Sequence, residues 1–133
     1  FQGWAQQGRI GTTRILLLKP GTFIAAVGAD SPTKNEIAPP LMAVSTVVTD
    51  VSRQCAEMGD LHHAIRAGCM SEADVHAELA EILVGARRGR RSSEEIIIFD
   101  STGTGLQDAD ASPAIYERSA ASSSVRSIAF GDA

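Results

Sequence analysis

Cysteine is scarce in this sequence, which excludes the sites that cysteine-rich proteins use. Cys55 and Cys69 are isolated, without CxxC spacing and without a further pair that would complete a zinc site. A disulfide framework is excluded as well, because such frameworks need several cysteines in a short secreted chain. We expect both thiols to be reduced and structural.

Long apolar runs and an excess of positive charge are also lacking. No run approaches the roughly 18 residues that a membrane span requires, so we expect no membrane partner and a cytoplasmic protein. The formal net charge is −4, which argues against nucleic acid as the main partner. The arginines between Arg87 and Arg91 follow a predicted helix in an acidic chain and indicate a solvated loop.

Histidine offers no metal site. His62 and His63 are neighbours, and adjacent residues on a helix diverge by roughly 100°, so the two rings do not easily share one ion. Asp60 and His76 lie outside ligand spacing. The sequence therefore predicts no bound metal, and it contains no recognisable turn for a serine nucleophile either.

The length of 133 residues is that of one domain. Residues 1–3 resemble the remnant of a protease-cleavable tag, and residues 4–18 are expected to form an amino-terminal arm. Residues 19–121 are predicted to form a half-Rossmann domain, and residues 122–133 a carboxyl-terminal tail.

Three apolar runs rich in β-branched residues predict buried strands: Thr22–Val27, Val44–Val51 and Ile96–Phe99. The last run shows no polar alternation, so we expect both of its faces to be covered, as in a parallel sheet between helices. Arg14–Leu18 and Val125–Phe130 are candidates for further short strands. Long connections favour parallel pairing. The pattern predicts an α/β fold, a partial doubly wound (Rossmann-like) parallel sheet of three or four strands with flanking helices.

Capping signals predict the helices. A helix should follow Gly59 and end near Ala67, with Gly68 just past its end. The capping box of Ser71 and Asp74 and the apolar stripe from Val75 to Ala86 predict a longer helix, which is the clearest in the chain.

Weaker helix signals flank this central region. Thr33 and Glu36 have capping-box spacing and predict a short helical turn, which Pro39 should stop. After the third predicted strand, a helix is expected to begin at Leu106–Asp110. Ser112 and Pro113 then resemble a cap followed by proline at the first helical position, where a further helix is expected to start.

Glycine and hydroxyl residues follow two of the predicted strands. Gly28–Ser31 comes after the first strand and includes an acid, and Ser101–Gly103 comes after the third. In open α/β sheets, ligands bind beyond the carboxyl ends of the strands, where glycine permits close approach and hydroxyls add neutral hydrogen-bonding groups. These loops are the candidate ligand site. The alternatives are an ordinary strand-to-helix turn at Ser101–Gly103 and a cap or turn role for Asp30.

Three sequence blocks resemble the carboxyl-terminal half of the ornithine cyclodeaminase/mu-crystallin family. They are PGTFIAAVGADSPTKNEI at Pro20–Ile37, QCAEMGDLHHAIRAG at Gln54–Gly68 and EEIIIFDSTGTGLQD at Glu94–Asp108. The resemblance covers about Lys19 to Arg118. It implies a Rossmann domain that binds NAD(P), and a second domain, largely from the amino-terminal half, that supplies substrate contacts and a dimer interface.

The resemblance also implies roles for individual residues. Asp30 matches the family's catalytic aspartate, which acts as an acid or base at the amino-bearing carbon of the substrate. The residues implied to bind the nicotinamide end of NAD are Gly28, Ala29, Ser31, Ser101, Thr102 and Gly103.

The GxGxxG turn that receives a dinucleotide diphosphate is absent. Gly103 and Gly105 do not complete it, because Leu106 to Asp108 follow. The family's amino-terminal substrate domain is missing as well. We therefore expect a truncated family member without normal catalysis, to which NAD binds weakly or not at all.

Two functions follow as hypotheses. Half of a doubly wound sheet exposes apolar faces and an unpaired edge, so the first is a self-associating binding module, a homodimer or higher oligomer. The alternative is an NAD-dependent amino-acid deaminase or cyclodeaminase whose site is completed by oligomerisation or a partner chain, with a small amino acid as its ligand.

Overall fold

The computed structural model describes residues 18–122, the side chain of Gln107 excepted. The predicted tag remnant, most of the candidate strand Arg14–Leu18 and all of Val125–Phe130 lie outside the described residues. Of the described residues, those up to Gly103 form one compact unit and those from Thr104 onward form another.

The first unit alternates strands and short helices. Its elements, in chain order, are β1 (Phe23–Ala26), α1 (Pro39–Ala43), β2 (Thr46–Thr49), α2 (Ser52–Met58), α3 (Asp60–Arg66), β3 (Ala77–Glu78), α4 (Leu79–Leu83) and β4 (Ile97–Asp100). A 3₁₀ turn over Glu72–Asp74 lies between α3 and β3.

The strands form one parallel sheet in the order β1-β4-β2-β3, which confirms the predicted Rossmann-like α/β fold. The last strand in the chain is internal to the sheet, where Ile98 lies between Ile24 of β1 and Val47 of β2. Parallel neighbours need crossover connections, and α1 to α4 lie within them. All four strands therefore end at the same edge of the sheet.

One face of the sheet carries the core. Ala26, Val47 and Ile98 share this face because side chains alternate along a strand, and each is at most 2% exposed. The helices contribute Leu41 and Met42 of α1, Cys55 of α2, and Leu61 and Ala64 of α3. Burying apolar side chains of this size contributes roughly 1.5–3 kcal/mol each.

The opposite face is only partly covered. Ile97 and Val48 are buried there, but Phe99 is half-buried and Phe23 is 59% exposed. The expected cover of Ile96–Phe99 on both faces is therefore complete at Ile97 and Ile98 and partial at the two ends of the run, where Ile96 and Phe99 are half-buried. Leu79 of α4 contributes to a groove on this face, but α4 has only five residues and leaves much of the face open.

The long helix predicted after Ser71 does not form. The capping box of Ser71 and Asp74 is present, but the chain then becomes extended and β3 pairs with β2. His76 N donates to Val47 O at 2.8 Å, so pairing with the sheet outweighs the local helical pattern. Helix resumes only in α4, which ends before Gly85.

Other helix boundaries also depart from the sequence pattern. No helical turn forms at Thr33–Glu36, and Pro39 starts α1, because a missing N–H costs little at a helix amino terminus. The predicted α3 is confirmed, and Gly68 follows it with φ +68°. The sequence pattern did not predict α2.

The second unit contains α5 (Gly105–Ala120). The helix predicted to begin at Leu106–Asp110 is confirmed, whereas the predicted helix start at Ser112 is wrong, because Pro113 lies inside α5. Ser112 Oγ donates to Asp108 O at 2.5 Å, so the hydroxyl bonds within the helix instead of capping one. Across residues 18–122, no helix has the length and hydropathy needed to cross a membrane.

Candidate functional site

The two candidate loops meet where neighbouring strands end. Ala26, the last residue of β1, pairs with Asp100, the last residue of β4. The chain continues into Gly28–Ser31 after β1 and into Ser101–Gly103 after β4. Ser101 N donates to Ala26 O at 2.9 Å and extends the pairing one step beyond the strands. The structure therefore brings both loops to one edge of the sheet.

A carboxylate shapes the first loop. Gly28 N donates to Glu36 Oε2 at 2.8 Å, and a Cβ atom on Gly28 would lie only 2.4 Å from that carboxylate. Glycine thus permits the close approach of Glu36. Ala29 is fully buried and supports the loop from inside. Ser31 Oγ and Thr33 Oγ1 are hydrogen-bonded to each other at 3.1 Å.

Asp30 is a surface acid with a cationic neighbour. Its side chain is 56% exposed, and its Oδ1 atom forms an ion pair with Lys34 Nζ. The hydrogen bond and the charge of Lys34 hold the pKa of Asp30 below its usual value, so the carboxylate is ionised at neutral pH. An ionised, accessible carboxylate can accept a proton or bind an amine.

The second loop is tied to Asp50, which directly follows β2. Asp50 Oδ2 accepts hydrogen bonds from Ser101 Oγ at 2.8 Å and from Gly103 N at 3.0 Å. The buried hydroxyl of Ser101 is thereby committed to the protein. The Oγ1 atom of Thr102 is also buried, but it has no hydrogen-bond partner among the described residues.

Asp60, the first residue of α3, holds the segment that follows the first loop. It is fully buried, and its Oδ1 atom accepts from Asn35 Nδ2 at 2.8 Å, Glu36 N at 2.7 Å and Ile37 N at 2.9 Å. Burial raises the pKa of Asp60, although the backbone hydrogen bonds from Ile37 and Glu36 oppose the shift. Because Glu36 also binds Gly28 N, Asp60 supports the first loop indirectly, through Glu36.

Asp100 joins β4 to the amino terminus of α3. It is fully buried; its Oδ2 atom accepts from Leu61 N at 2.8 Å and its Oδ1 atom from Asp60 N at 3.2 Å. Burial raises the pKa of Asp100 to about 6. The nearby charges of Asp60 and Asp50 also raise this pKa, whereas the hydrogen bond from Leu61 lowers it. Asp100 therefore changes charge at a higher pH than a surface aspartate does.

Sequence reasoning missed these three carboxylates. For Asp50 and Asp100 a signal was available, since Asp50 lies near the end of the predicted strand Val44–Val51 and Asp100 directly follows Ile96–Phe99. Asp60 gave no such signal, because an aspartate after glycine at a helix start is typical of an ordinary cap.

The two loops suit one end of a dinucleotide better than the other. Gly103 leaves open space where a side chain would lie, and Thr102 has a hydroxyl without a protein partner in residues 18–122, which suits the carboxamide group of a flat nicotinamide ring. The residues present do not fit the diphosphate, because the sequence contains no GxGxxG turn.

Metal ligands are not grouped in the part of the chain that the structure describes. No cluster of His, Cys, Asp or Glu side chains there could hold a metal ion. The rings of His62 and His63 meet edge to face, with centroids 5.3 Å apart. His63 Nε2 is hydrogen-bonded to Lys34 O at 2.8 Å, so this histidine fastens the segment after the first loop.

The sequence of this chain matches one protein family. The family model described as ornithine cyclodeaminase/mu-crystallin family matches residues 15–123. An alanine dehydrogenase of Archaeoglobus fulgidus is 38% identical over 100 residues, which are 75% of this chain and 31% of that protein. The chain thus spans about a third of the length of the curated relatives that it matches.

Solved structures give a consistent result. An archaeal alanine dehydrogenase dimer with bound NAD aligns with a TM-score of 0.74 at 35% identity, over 86% of this chain and 36% of that chain. The Delta(1)-pyrroline-2-carboxylate reductase of Thermococcus litoralis, in complex with NADH and L-proline, aligns with a TM-score of 0.74 at 29% identity. That match covers 80% of this chain and 33% of the reductase.

Proposed function

Because this chain belongs to the ornithine cyclodeaminase/mu-crystallin family, we propose that it supplies the nicotinamide-facing half of an NAD-dependent site for a small amino or imino acid. The pairing of Ala26 with Asp100 carries the proposal, because it sets Gly28–Ser31 beside Ser101–Gly103. Support comes from relatives whose structures contain NAD, or NADH and L-proline.

Asp30 is the residue that we assign to proton transfer. NAD, when bound, would take up or return the hydride at the amino-bearing carbon. Asp30 is ionised at neutral pH, so its carboxylate can receive the proton that leaves the substrate nitrogen and return it in the reverse direction. Because Lys34 lowers the pKa of Asp30, this proton is held only transiently. The ion pair uses Oδ1, and Oδ2 is the atom that would hold this proton.

We expect no normal turnover by this chain alone. A GxGxxG turn and the helix that follows it bind the diphosphate through backbone N–H groups, and the sequence contains no such turn. The nicotinamide loops alone should therefore bind NAD weakly. Turnover would require oligomerisation or a further polypeptide segment that supplies the missing cradle.

A pair of ligands tests this assignment. Nicotinamide mononucleotide and adenosine monophosphate share a ribose phosphate and differ in the base. In a nuclear magnetic resonance titration at millimolar ligand, we expect nicotinamide mononucleotide to shift the amide signals of Gly28–Ser31 and Ser101–Gly103, because these loops face the ring. Adenosine monophosphate should leave the same signals in place. An equal response to both ligands, or no response in either loop, would contradict the proposal.

A second candidate function is the self-associating module, which the open face of the sheet favours. Phe23, Leu79 and Phe99 line an apolar groove of about 190 Å³ on this face. In the sheet formed by the described residues, β1 lies at an edge. Exposed apolar grooves and free strand edges are surfaces that association commonly covers.

Sedimentation equilibrium tests the second candidate. We expect the wild-type chain to form a dimer or higher oligomer and Phe23→Glu to shift it toward monomer, because a charge in the groove must lose its water on association. Val44→Glu is the matched control, since Val44 is 64% exposed and does not line the groove. A wild-type monomer at high concentration would remove this candidate.

A further inference from the structure

Asp50 connects the end of β2 to the loop that follows β4. Thr49 pairs with Asp100, and Asp50 N donates to Asp100 O at 3.2 Å, so the pairing with β4 continues one residue past the end of β2. The register of the sheet therefore puts Asp50 beside Ser101. The position of the Asp50 carboxylate is therefore determined by the sheet and not by the Ser101–Gly103 loop.

Both oxygens of the Asp50 carboxylate accept hydrogen bonds. Oδ2 accepts from Ser101 Oγ at 2.8 Å and from Gly103 N at 3.0 Å. Oδ1 accepts from Val51 N at 2.7 Å and from Cys55 Sγ at 3.1 Å. Burial acts to raise the pKa of Asp50, but these four hydrogen bonds outweigh it and lower the pKa. Asp50 is therefore a charged acceptor, and hydrogen bonds to ionised groups are the strong ones.

Gly103 is held from two sides. Its N–H donates to Asp50, and its carbonyl oxygen accepts from Gln54 Nε2 at 2.9 Å. Its φ is +81°, and an added Cβ would meet no atom of the described chain within 4 Å. Glycine here thus serves the backbone conformation and not a lack of space. Thr102, with its unpartnered buried hydroxyl, lies between Gly103 and the equally anchored Ser101.

We propose that Asp50 is a positioning residue that fixes the Ser101–Gly103 loop in the conformation that receives the nicotinamide ring. The inference rests on the proposed function, and Asp50 acts through the loop without contact to the reacting atoms. Two donors from one loop share one oxygen of a carboxylate that the sheet holds in place, so the loop is ordered before a ligand arrives.

Asparagine cannot replace this aspartate. Each carboxylate oxygen faces one backbone N–H, that of Val51 or that of Gly103, and an amide offers an oxygen to only one of them. The bond to Val51 is local and shorter, so in Asp50→Asn Gly103 N is expected to lose the carboxylate and to keep only its longer hydrogen bond to Ser101 Oγ, at 3.4 Å. Ser101 can rotate its hydroxyl to adapt, but a backbone amide cannot.

The test compares Asp50→Asn with Asp74→Asn. Asp74 is a matched control because its Oδ2 atom also accepts from one backbone N–H and one serine hydroxyl, both of Ser71, at 2.7 and 2.8 Å. We expect Asp50→Asn to accelerate amide hydrogen exchange at Gly103 by about 10-fold or more. It should weaken the binding of nicotinamide mononucleotide by about 10-fold. Asp74→Asn should change neither quantity.

The two readouts separate the possible failures. Unchanged nucleotide affinity in a folded Asp50→Asn protein overturns the inference, even if stability falls, and leaves the proposed function in place. Wild-type protein that does not bind the nucleotide overturns the proposed function and the ligand part of the inference. The exchange rate at Gly103 then decides separately whether Asp50 fixes the loop.

A second variant covers the case in which Asp50→Asn does not fold. Ser101→Ala removes one donor from the same oxygen and keeps the aspartate. Nucleotide affinity should then fall by about threefold, and Gly103 exchange should accelerate, because one of the two hydrogen bonds from the loop to this oxygen is lost. Wild-type values for both quantities would overturn the inference.

Discussion

Replacement of Asp60 by alanine is expected to lower the free energy of unfolding by about 3 kcal/mol. The substitution removes the oxygen that Asn35 Nδ2, Glu36 N and Ile37 N share. Ile37 is buried, so water cannot readily take the place of the lost acceptor, and a buried donor without a partner costs about 1–3 kcal/mol. Urea denaturation at neutral pH measures the loss.

Asp60→Asn is the matched comparison. Asparagine keeps an oxygen for the three donors and loses the negative charge, which burial already disfavours at this position, since it raises the pKa of Asp60. We expect the asparagine variant to lose less than about half as much stability as the alanine variant. Equal losses would mean that the charge, and not the shared oxygen, holds the segment after the first loop.

The stability of the wild type relative to Asp100→Asn is expected to fall by about 3 kcal/mol between about pH 4 and about pH 7. Burial raises the pKa of Asp100 from 3.8 to about 6 in the folded protein, so the unfolded chain ionises first as the pH rises. The stabilisation is complete below pH 3.8, where Asp100 is protonated in both states, and it is lost as the pH rises through about 6. Urea denaturation of both proteins across this range measures the difference.

Asp74→Asn is the control for the pH series. Hydrogen bonds from the backbone and hydroxyl of Ser71 lower the pKa of Asp74. Its contribution to stability is therefore present above the usual pKa of 3.8 and is lost only as the pH falls through the lower folded value. The difference between the wild type and Asp74→Asn should be flat between about pH 4 and about pH 7. A similarly flat difference for Asp100→Asn would contradict the raised pKa of that residue.

The local sequence pattern was sufficient to predict the main strands and to indicate the family. The β-branched runs predicted β1, β2 and β4, because strand formation in a buried parallel sheet follows from continuous apolar sequence. The block Pro20–Ile37 indicated the family, which the match over residues 15–123 confirms. The capping signals located α3 but failed after Ser71.

The failure at β3 has a physical cause. The apolar residues between Val75 and Ala86 have helical spacing, yet Ala77 pairs with Val48 in the sheet. A strand of two residues has too few positions for a pattern of its own. Its formation depends on the free edge that β2 presents, and that edge exists only after the sheet has assembled.

By itself, the sequence determined the fold class and the family, and it predicted Gly28–Ser31 and Ser101–Gly103 as the loops of the candidate site, because each depends on residues close together in the chain. Only the tertiary structure decided which carboxylates hold those loops. Asp50 binds a serine 51 positions away, and Asp60 binds Ile37 from 23 positions away. Such hydrogen bonds depend on strand register and helix docking, which no local pattern encodes.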